Sequence, residues 1–460
     1  MQFRWQLLRR EFHCAKFLRN QQIIPKSLFD VNCILSANEF TKEFSEENRG
    51  HACIAYDSNQ LPSNSPCEDS RTEGSLIHTS GLLVGVFDGH AGNSCSQVIS
   101  KRLLRYIGAS LVPPQVLRQC LQDEAKSHSF VKCHNDKHDF IEELRDLYEQ
   151  SFQKFTQELL NRRSENFQME EVLENAFLRL DEDITNEAMD SGISQTLSVA
   201  LSGSVAIVAH IDKNHLHVAS TGDCQAVLGS INENGDWSAK KMSEEHNAEN
   251  MAEVRRILAE HPNSERDTVI RGDRLLSQLA PLRAFGDVRY KWSRDQLQKL
   301  VVPHFGEQVI PPNYHTPPYL SVKPSIQHHI LTPKDKFLVM ASDGLWDVLS
   351  PLEVVQLVGE HGIGKASLQP FKLPKKKNIT LGELDSMLQA RKANQLSKPI
   401  DKNASTHLIR NALGGTDYGI DNARLFHLLS LPPDIVRLFR DDITITILYF
   451  DTEYLRNIPA

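Results

Sequence analysis

The sequence predicts a large α+β domain, on three observations. Short apolar or β-branched runs recur along the chain and stop at acidic, glycine-broken turns. Two of them, residues 205–211 and 215–220, are separated only by Asp212-Lys213-Asn214, the length of a hairpin turn, so part of the sheet structure is antiparallel. Between the runs lie stretches with helical spacing. Ile141, Leu144, Tyr148, Phe152, Phe155 and Leu159 step by three and four, and Leu173, Phe177, Leu180, Ile184 and Ala188 do the same, giving stripes that face a core.

Taken in order, the chain opens on a basic segment. Arg4, Arg9, Arg10, Lys16, Arg19 and Lys26 stand against Glu11 alone before Asp30, and Phe3, Leu7, Leu8, Phe12, Phe17 and Leu18 have roughly helical spacing. An amphipathic, arginine-rich, acid-poor start reads as a mitochondrial presequence and not a secretory one, which would need a continuous apolar core. Residues 1–45 are therefore assigned to a presequence and flexible N-terminal segment, and 46–455 to one folded domain. The apolar run around Val84-Gly85-Val86-Phe87 ends in Asp88-Gly89-His90-Ala91-Gly92, and a helix-like stretch, 95–107, follows. Residues 110–194 look inserted: helix signal is strong and strand signal weak. Within them His128, Cys133, His134 and His138 crowd together, but their spacing matches no structural zinc finger. Residues 226–231 read as a third strand continuing the hairpin as a meander, up to the turn Asn234-Gly235-Asp236.

Farther on, Phe337-Leu338-Val339-Met340-Ala341-Ser342 ends in Asp343-Gly344-Leu345-Trp346-Asp347. A second insert, 362–403, carries nine basic residues against three acidic ones, among them Lys372, Lys375, Lys376 and Lys377. It reads either as a solvated loop or as an electrostatic docking surface for an acidic partner. Last, Arg440-Asp441-Asp442 precedes Ile443-Thr444-Ile445-Thr446-Ile447-Leu448-Tyr449-Phe450, a strongly β-branched strand.

Carboxylates thus stand at the tips of several strands: Glu68-Asp69, Asp88, Asp223 in Thr221-Gly222-Asp223, Asp343, Asp347 and Asp441. Turns do not require acids at every tip, so the set points to one all-oxygen site for magnesium or manganese and not to zinc. Glycine at 89 lets a backbone carbonyl turn inward as a further oxygen ligand. His90 beside it offers an imidazole that gives or takes a proton near neutral pH.

Composition narrows the class. With 460 residues, 40% of them hydrophobic, the chain can bury one large core or two ordinary ones. A net charge of -8 argues against nucleic acid as the partner, and no apolar run approaches the length of a transmembrane span. The eight cysteines, at 14, 33, 53, 67, 95, 120, 133 and 224, are scattered with no paired spacing, as in a reducing compartment.

With these motifs in order, the chain resembles the metal-dependent type 2C serine/threonine protein phosphatases. The matching stretches are Glu68-Asp69, residues 86–92, Ser202-Gly203-Ser204-Val205-Ala206, Thr221-Gly222-Asp223, Arg283-Ala284-Phe285-Gly286-Asp287, residues 341–347 and Asp441-Asp442. Within that family, Ser58-Asn59-Gln60-Leu61-Pro62, residues 311–320 and Thr406-His407-Leu408-Ile409-Arg410 resemble the pyruvate dehydrogenase phosphatase branch. The resemblance implies a four-layer α-β-β-α sandwich, two mainly antiparallel sheets flanked by helices. It implies two magnesium or manganese ions held by Asp88, the Gly89 carbonyl, Asp343 and Asp441. Glu68 and Asp69 would act through water, and Asp223 and Asp347 would hold a weaker third ion. The ions would activate a water for in-line attack on a phosphoserine, and His90 would protonate the leaving oxygen. The branch further implies the phosphorylated pyruvate dehydrogenase α subunit as substrate and the lipoyl domain of the dihydrolipoamide acetyltransferase core as docking partner. It adds calcium at a partner interface, a regulatory subunit and the mitochondrial matrix.

Three departures stand out. Asn64 occupies the position where most of the family has a phosphate-binding arginine, as it does in the pyruvate dehydrogenase branch, and by that position it is the candidate contact for the substrate phosphate. Cys224-Gln225 replaces Ser-Arg, and Asp442 stands where asparagine is commoner, which leaves open whether Asp441 or Asp442 meets metal, with Asp441 preferred. Two other readings remain: a type 2C phosphatase acting on other signalling phosphoproteins, and a non-catalytic phosphoprotein-binding relative.

Overall fold

The computed structural model describes residues 27–46, 49–122, 130–135, 142–162, 168–365, 379–395, 398–416 and 418–458. Its twelve main strands are β1 (Phe40–Glu43), β2 (Cys53–Leu61), β3 (Ser70–Leu76), β4 (Leu82–His90), β5 (Val131–Cys133), β6 (Gly203–Asp212), β7 (His215–Thr221), β8 (Gln225–Ile231), β9 (Trp237–Lys241), β10 (Ser325–Ile330), β11 (Asp335–Ala341) and β12 (Ile443–Phe450). One sheet runs β1-β2-β12-β11-β8-β9, the other β10-β7-β6-β4-β3-β5, with the short strand Phe285–Gly286 added against β6. All of these pairings are antiparallel.

The layering follows from the two-residue period of a strand. In β11, Leu338 and Met340 enter the core shared with β4 and β6, whereas Phe337, Val339 and Ala341 pack with the helices Pro351–Gly362 and Ala404–Gly414. A strand buried on both faces needs an unbroken apolar run, which is why Phe337 to Ala341 shows no alternation. The second sheet is covered in turn by Ser94–Leu111, Glu142–Arg162 and Met169–Asp190, whose Leu144, Tyr148, Phe152, Phe155, Leu173, Phe177, Leu180 and Ile184 are all buried. The result is the helix-sheet-sheet-helix sandwich. Helix starts follow local chemistry: Ser350 and Glu353 close a capping box around Pro351, which sits in the first turn where its missing N–H costs nothing.

Three expectations need correction. Residues 226–231 do not continue the hairpin meander. The β6–β7 hairpin forms, turning through Lys213 at φ 52°, but β8 leaves for the other sheet and pairs with β11 and β9. The crossing is made by Gly222 at φ +91°, where a Cβ would lie 2.0 Å from Val205 Cγ1. The insert 110–194 is not purely helical, because β5 adds an edge strand to β3. The folded domain also starts before residue 46. Helix Leu28–Leu35 buries Val31 and Leu35 among the helices of the first sheet, and β1 pairs with β2, so residues 28–43 belong to the sandwich. The presequence stretch 1–26, the lysines at 372 and 375–377, and His128 and His138 lie outside the described residues.

Candidate active site

The two sheets bring their acidic strand ends to one rim. Asp88 and Gly89 lie within the ladder of β4, opposite Val205 and Ser204 of β6, so the carboxylate is fixed by pairing on a buried strand and not by a loose turn. Asp223 sits in the crossing between the sheets. Asp343 opens the short helix Asp343–Trp346, with Ser342 between it and β11, and Asp441 stands two residues before β12. The cleft is graded: Asp69 is buried, Asp88, Asp223 and Asp343 half-buried, and Asp347 and Asp441 exposed.

Electrostatics tie these groups into one cluster. Burial, followed by the charges of Asp69, Asp343, Asp223 and Asp441, pushes the Asp88 carboxyl well above its ordinary range. Burial and then Asp223, Asp441 and Asp347 push Asp343 up to about 7. Asp223 rises to about 6, chiefly by burial, with Asp347 adding to it and His90 opposing. Asp69 is raised by burial and by Asp442, although Ser342 Oγ donates to its Oδ2 at 2.8 Å. Carboxylates that disfavour one another's charge in this way fit a divalent cation, and their donors are all oxygens, the hard set that suits magnesium or manganese. The Cys224 thiol beside them is pushed well above its ordinary range by burial and by Asp88 and Asp223, so it stays neutral and does not compete as a ligand.

Gly89 is required by close approach. A Cβ there would lie 2.3 Å from the Glu68 carbonyl and 2.8 Å from Ser96 Oγ. Ser96 Oγ donates to that same carbonyl, and Glu68 Oε1 accepts from Gly92 N at 2.7 Å, so the Glu68-Asp69 strand start is locked against the Asp88-Gly89 tip. Glu68 Oε2 is buried without a hydrogen bond, and the nearest cation is the Arg437 guanidinium at 3.4 Å.

Asp441 and Asp442 separate in the structure. Asp442 is buried, and its oxygens accept from the backbone N–H groups of Ser63, Asn64 (2.9 Å) and Glu68 (2.8 Å) and from Asn64 Nδ2 (3.0 Å). Its carboxylate is spent on holding the loop 63–68. Asp441 faces the cleft and raises Asp88, Asp343 and Asp347. Asn64 therefore directs its amide at these two acids, with Asp441 Oδ1 at 3.5 Å.

Sequence reasoning assigned no role to Asp287 or Arg437. His90 Nε2 lies 2.5 Å from Asp287 Oδ2. Burial alone would lower the imidazole, but the charge and hydrogen bond of Asp287, with Asp223 and Glu68 behind, raise it above its ordinary value. Asp287 reaches His90 from a left-handed backbone at φ 50°, following Gly286 at φ 65°. The signal available in the sequence was the Gly286-Asp287 pair itself, since Gly and Asp are among the residues that adopt left-handed turns. Arg437 comes from a short 3-10 turn, Val436–Leu438, that has no motif of its own.

Residues 110–368 match the family model described as protein phosphatase 2C. The chain is 43% identical over 447 residues to the rat protein named [pyruvate dehydrogenase [acetyl-transferring]]-phosphatase 1, mitochondrial, covering 92% of this chain and 82% of that one. It is 40% identical to the human protein named as phosphatase 2 of the same series, covering 92% and 83%. A Saccharomyces cerevisiae protein carrying the phosphatase 1 name is 30% identical, covering 88% and 70%.

Proposed function

Because the chain belongs to the protein phosphatase 2C family of metal-dependent protein serine/threonine phosphatases, we propose that it dephosphorylates and so reactivates the pyruvate dehydrogenase α subunit in the mitochondrial matrix. The observation that carries this reading is the buried carboxylate cluster set beside a protonatable His90, in a chain similar along most of its length to mitochondrial pyruvate dehydrogenase phosphatases. Asp88, the Gly89 carbonyl, Asp343 and Asp441 would hold two magnesium or manganese ions, with Glu68 and Asp69 acting through water and Asp223 and Asp347 at a weaker third position. When bound, such ions supply an activated water and neutralise charge on the phosphoryl group.

The chain's own residues do the rest. The β4–β6 ladder and the glycine at 89 fix the acids in place before substrate arrives, so little reorganisation is needed. His90, kept protonated by Asp287, gives its proton to the departing serine oxygen, which would otherwise leave as a poor alkoxide. With Asn64 bound to acids, Arg437 supplies the cation at the mouth for the phosphate oxygens.

The same reading places the enzyme on the lipoyl domain of the dihydrolipoamide acetyltransferase core, with calcium at that interface and a regulatory subunit as a further partner. Tethering raises the effective substrate concentration, so modest affinity suffices. The net positive charge of residues 362–403 suits an acidic surface of that kind. The deciding experiment is release of phosphate from the inactive, phosphorylated pyruvate dehydrogenase complex by the purified chain, with p-nitrophenyl phosphate in parallel. Turnover of the small ester with none of the complex would overturn the substrate. Turnover of neither, with manganese present, would overturn catalysis.

A further inference from the structure

A second group of potential ligands lies away from the acidic rim, on the helix-covered face of the β10-β7-β6 edge. Antiparallel register sets His328 of β10 directly opposite His217 of β7, and His217 directly opposite His210 of β6. His215, two residues before His217, shares their face. The rings of His217 and His328 are stacked with centroids 4.2 Å apart and planes within 4°, and His215 Nδ1 lies 2.9 Å from His328 Nε2. Glu170, in the first turn of the helix Met169–Asp190, reaches over this row. Its Oε1 lies 3.9 Å from His217 Nε2, and one ligand atom each from Glu170, His217 and His328 lie within 4.8 Å of one another.

Several facts argue that this is more than a surface cluster. Stacked imidazoles repel if protonated. Burial, and then His328, holds His217 down at about 4, while burial and then His215 lower His328. The rings therefore present lone pairs at neutral pH, the form that binds a cation. His217 Nδ1 and His210 Nδ1 are buried without a hydrogen-bond partner, so their strands carry polar atoms that the protein leaves unsatisfied.

We propose that Glu170, His217 and His328 form a binding site for a zinc-class cation, distinct in place and in ligand chemistry from the carboxylate cleft. Two imidazoles and one carboxylate, with a fourth position left for water, are the donors of a tetrahedral zinc ion, whereas magnesium and manganese prefer oxygen. Tetrahedral ligands at about 2.0–2.1 Å from zinc stand about 3.3 Å from each other. The Glu170–His217 pair at 3.9 Å is already close to that. Glu170 is half exposed on a long side chain, and the exposed His328 ring must turn out of its stack on His217 for the two in-plane lone pairs to converge, so the donors meet by side-chain rotation without moving a strand.

The ion would clamp the inserted helix to the sheet edge. That helix also carries Asp181, which accepts from Gly286 N and Lys291 Nζ, both at 2.8 Å, and so holds the turn bearing Asp287. The clamp therefore stabilises the element that backs the His90–Asp287 pair, without touching the reaction.

The test uses the full chain stripped of metal and then given excess magnesium. Zinc bound per chain is measured by dialysis and metal analysis, and the zinc-dependent rise in melting temperature by thermal shift. His328→Ala and Glu170→Gln change exposed or half-exposed side chains and keep the fold, and His217→Ala is a third arm read only if its metal-free melting is normal. Any zinc held by the carboxylate cleft is common to all of them. The expected result is one zinc fewer per chain in each variant, or zinc affinity weaker by at least the roughly 10- to 100-fold that loss of even a supporting group costs, with the zinc-dependent melting shift reduced in step. In wild type, cobalt should give the visible absorption of a tetrahedral site, lost in His328→Ala. Equal zinc stoichiometry and affinity in wild type, His328→Ala and Glu170→Gln would overturn the proposal and leave a hydrogen-bonded imidazole cluster.

Discussion

Adjacent acids at 441 and 442 should fail in opposite ways when altered. Asp442→Ala removes the acceptor for three backbone N–H groups, those of Ser63, Asn64 and Glu68, two of which belong to buried residues. An orphaned buried N–H costs about 1–3 kcal/mol. Pro62, Ser65 and Pro66 are exposed, so water reaches part of the loop and the lower end applies, about 3–5 kcal/mol in all. Unfolding entropy of about 2.1 cal/mol/K per residue gives roughly 0.8 kcal/mol/K for a domain of this size, so melting should fall by about 4–6 °C. Asp441 Oδ1 accepts one backbone N–H, that of Asp442 at 2.8 Å, and Asp441→Asn keeps a carbonyl oxygen for it. The substitution takes away a charge that raises Asp88, Asp343 and Asp347, so the metal-free protein should melt normally or slightly higher. The assay is thermal unfolding with and without manganese, alongside turnover of a phosphoserine peptide. Asp441→Asn should lose most turnover and much of the manganese-dependent shift, whereas Asp442→Ala should show the lower baseline and keep a shift. If Asp442→Ala melts like wild type but no longer responds to manganese, the division of labour between the two acids is wrong.

His90→Gln should slow phosphoserine hydrolysis by about 10²–10⁴, the usual range for a general acid, and slow p-nitrophenyl phosphate far less because that leaving group hardly needs a proton; equal losses on both would make His90 structural. Asp287→Asn should give the same substrate bias at smaller size, roughly 10–100-fold, the worth of a charge-assisted hydrogen bond, and an unbiased loss would remove Asp287 from the proton path. Gly89→Ala should destabilise the domain by several kcal/mol, in the manner of an overpacked core, because the Glu68 carbonyl that its Cβ meets is backbone and cannot turn away; a normal melting curve in denaturant would contradict the close approach. With excess manganese keeping the raised carboxylates Asp69, Asp88, Asp223 and Asp343 ionised, stability should also fall on acidification; without the metal their proton uptake in the folded state opposes the fall. His51, His246 and His407 are held down at about 4 and His210 at about 3, each chiefly by burial, so the unfolded chain binds more protons below about pH 6.5 and stability drops from there toward pH 4. Each group contributes a slope of up to about 1.4 kcal/mol per pH unit, and a urea midpoint that stays flat between pH 7 and 5 in the presence of manganese would show that these histidines are not buried neutral.

The readable and unreadable parts of the sequence divide along the line between local and long-range causes. Residues 205–220 announce a hairpin because two apolar runs and a short turn suffice to specify it, and the hairpin forms. Whether the next strand stays in that sheet depends on where β11 and β8 meet, more than a hundred residues apart, so the departure of β8 left no local trace beyond Gly222. Edge strand β5 was hidden for a similar reason. Three residues carry no periodicity, and only the waiting edge of β3 makes them a strand. Within the site, the acids stood out because several strands each ended in one, a coincidence visible without coordinates. The partners that tune them did not. Asp287 lies nearly two hundred residues from His90, and it reaches the imidazole only because its backbone turns left-handed after Gly286. Asp441 and Asp442 are chemically identical in sequence, and only the loop 63–68, folded across from the other end of the chain, occupies one of them and leaves the other facing the cleft. A residue type announces what chemistry is available; which of two equal residues performs it is decided by whatever hydrogen-bond donors the fold brings to it.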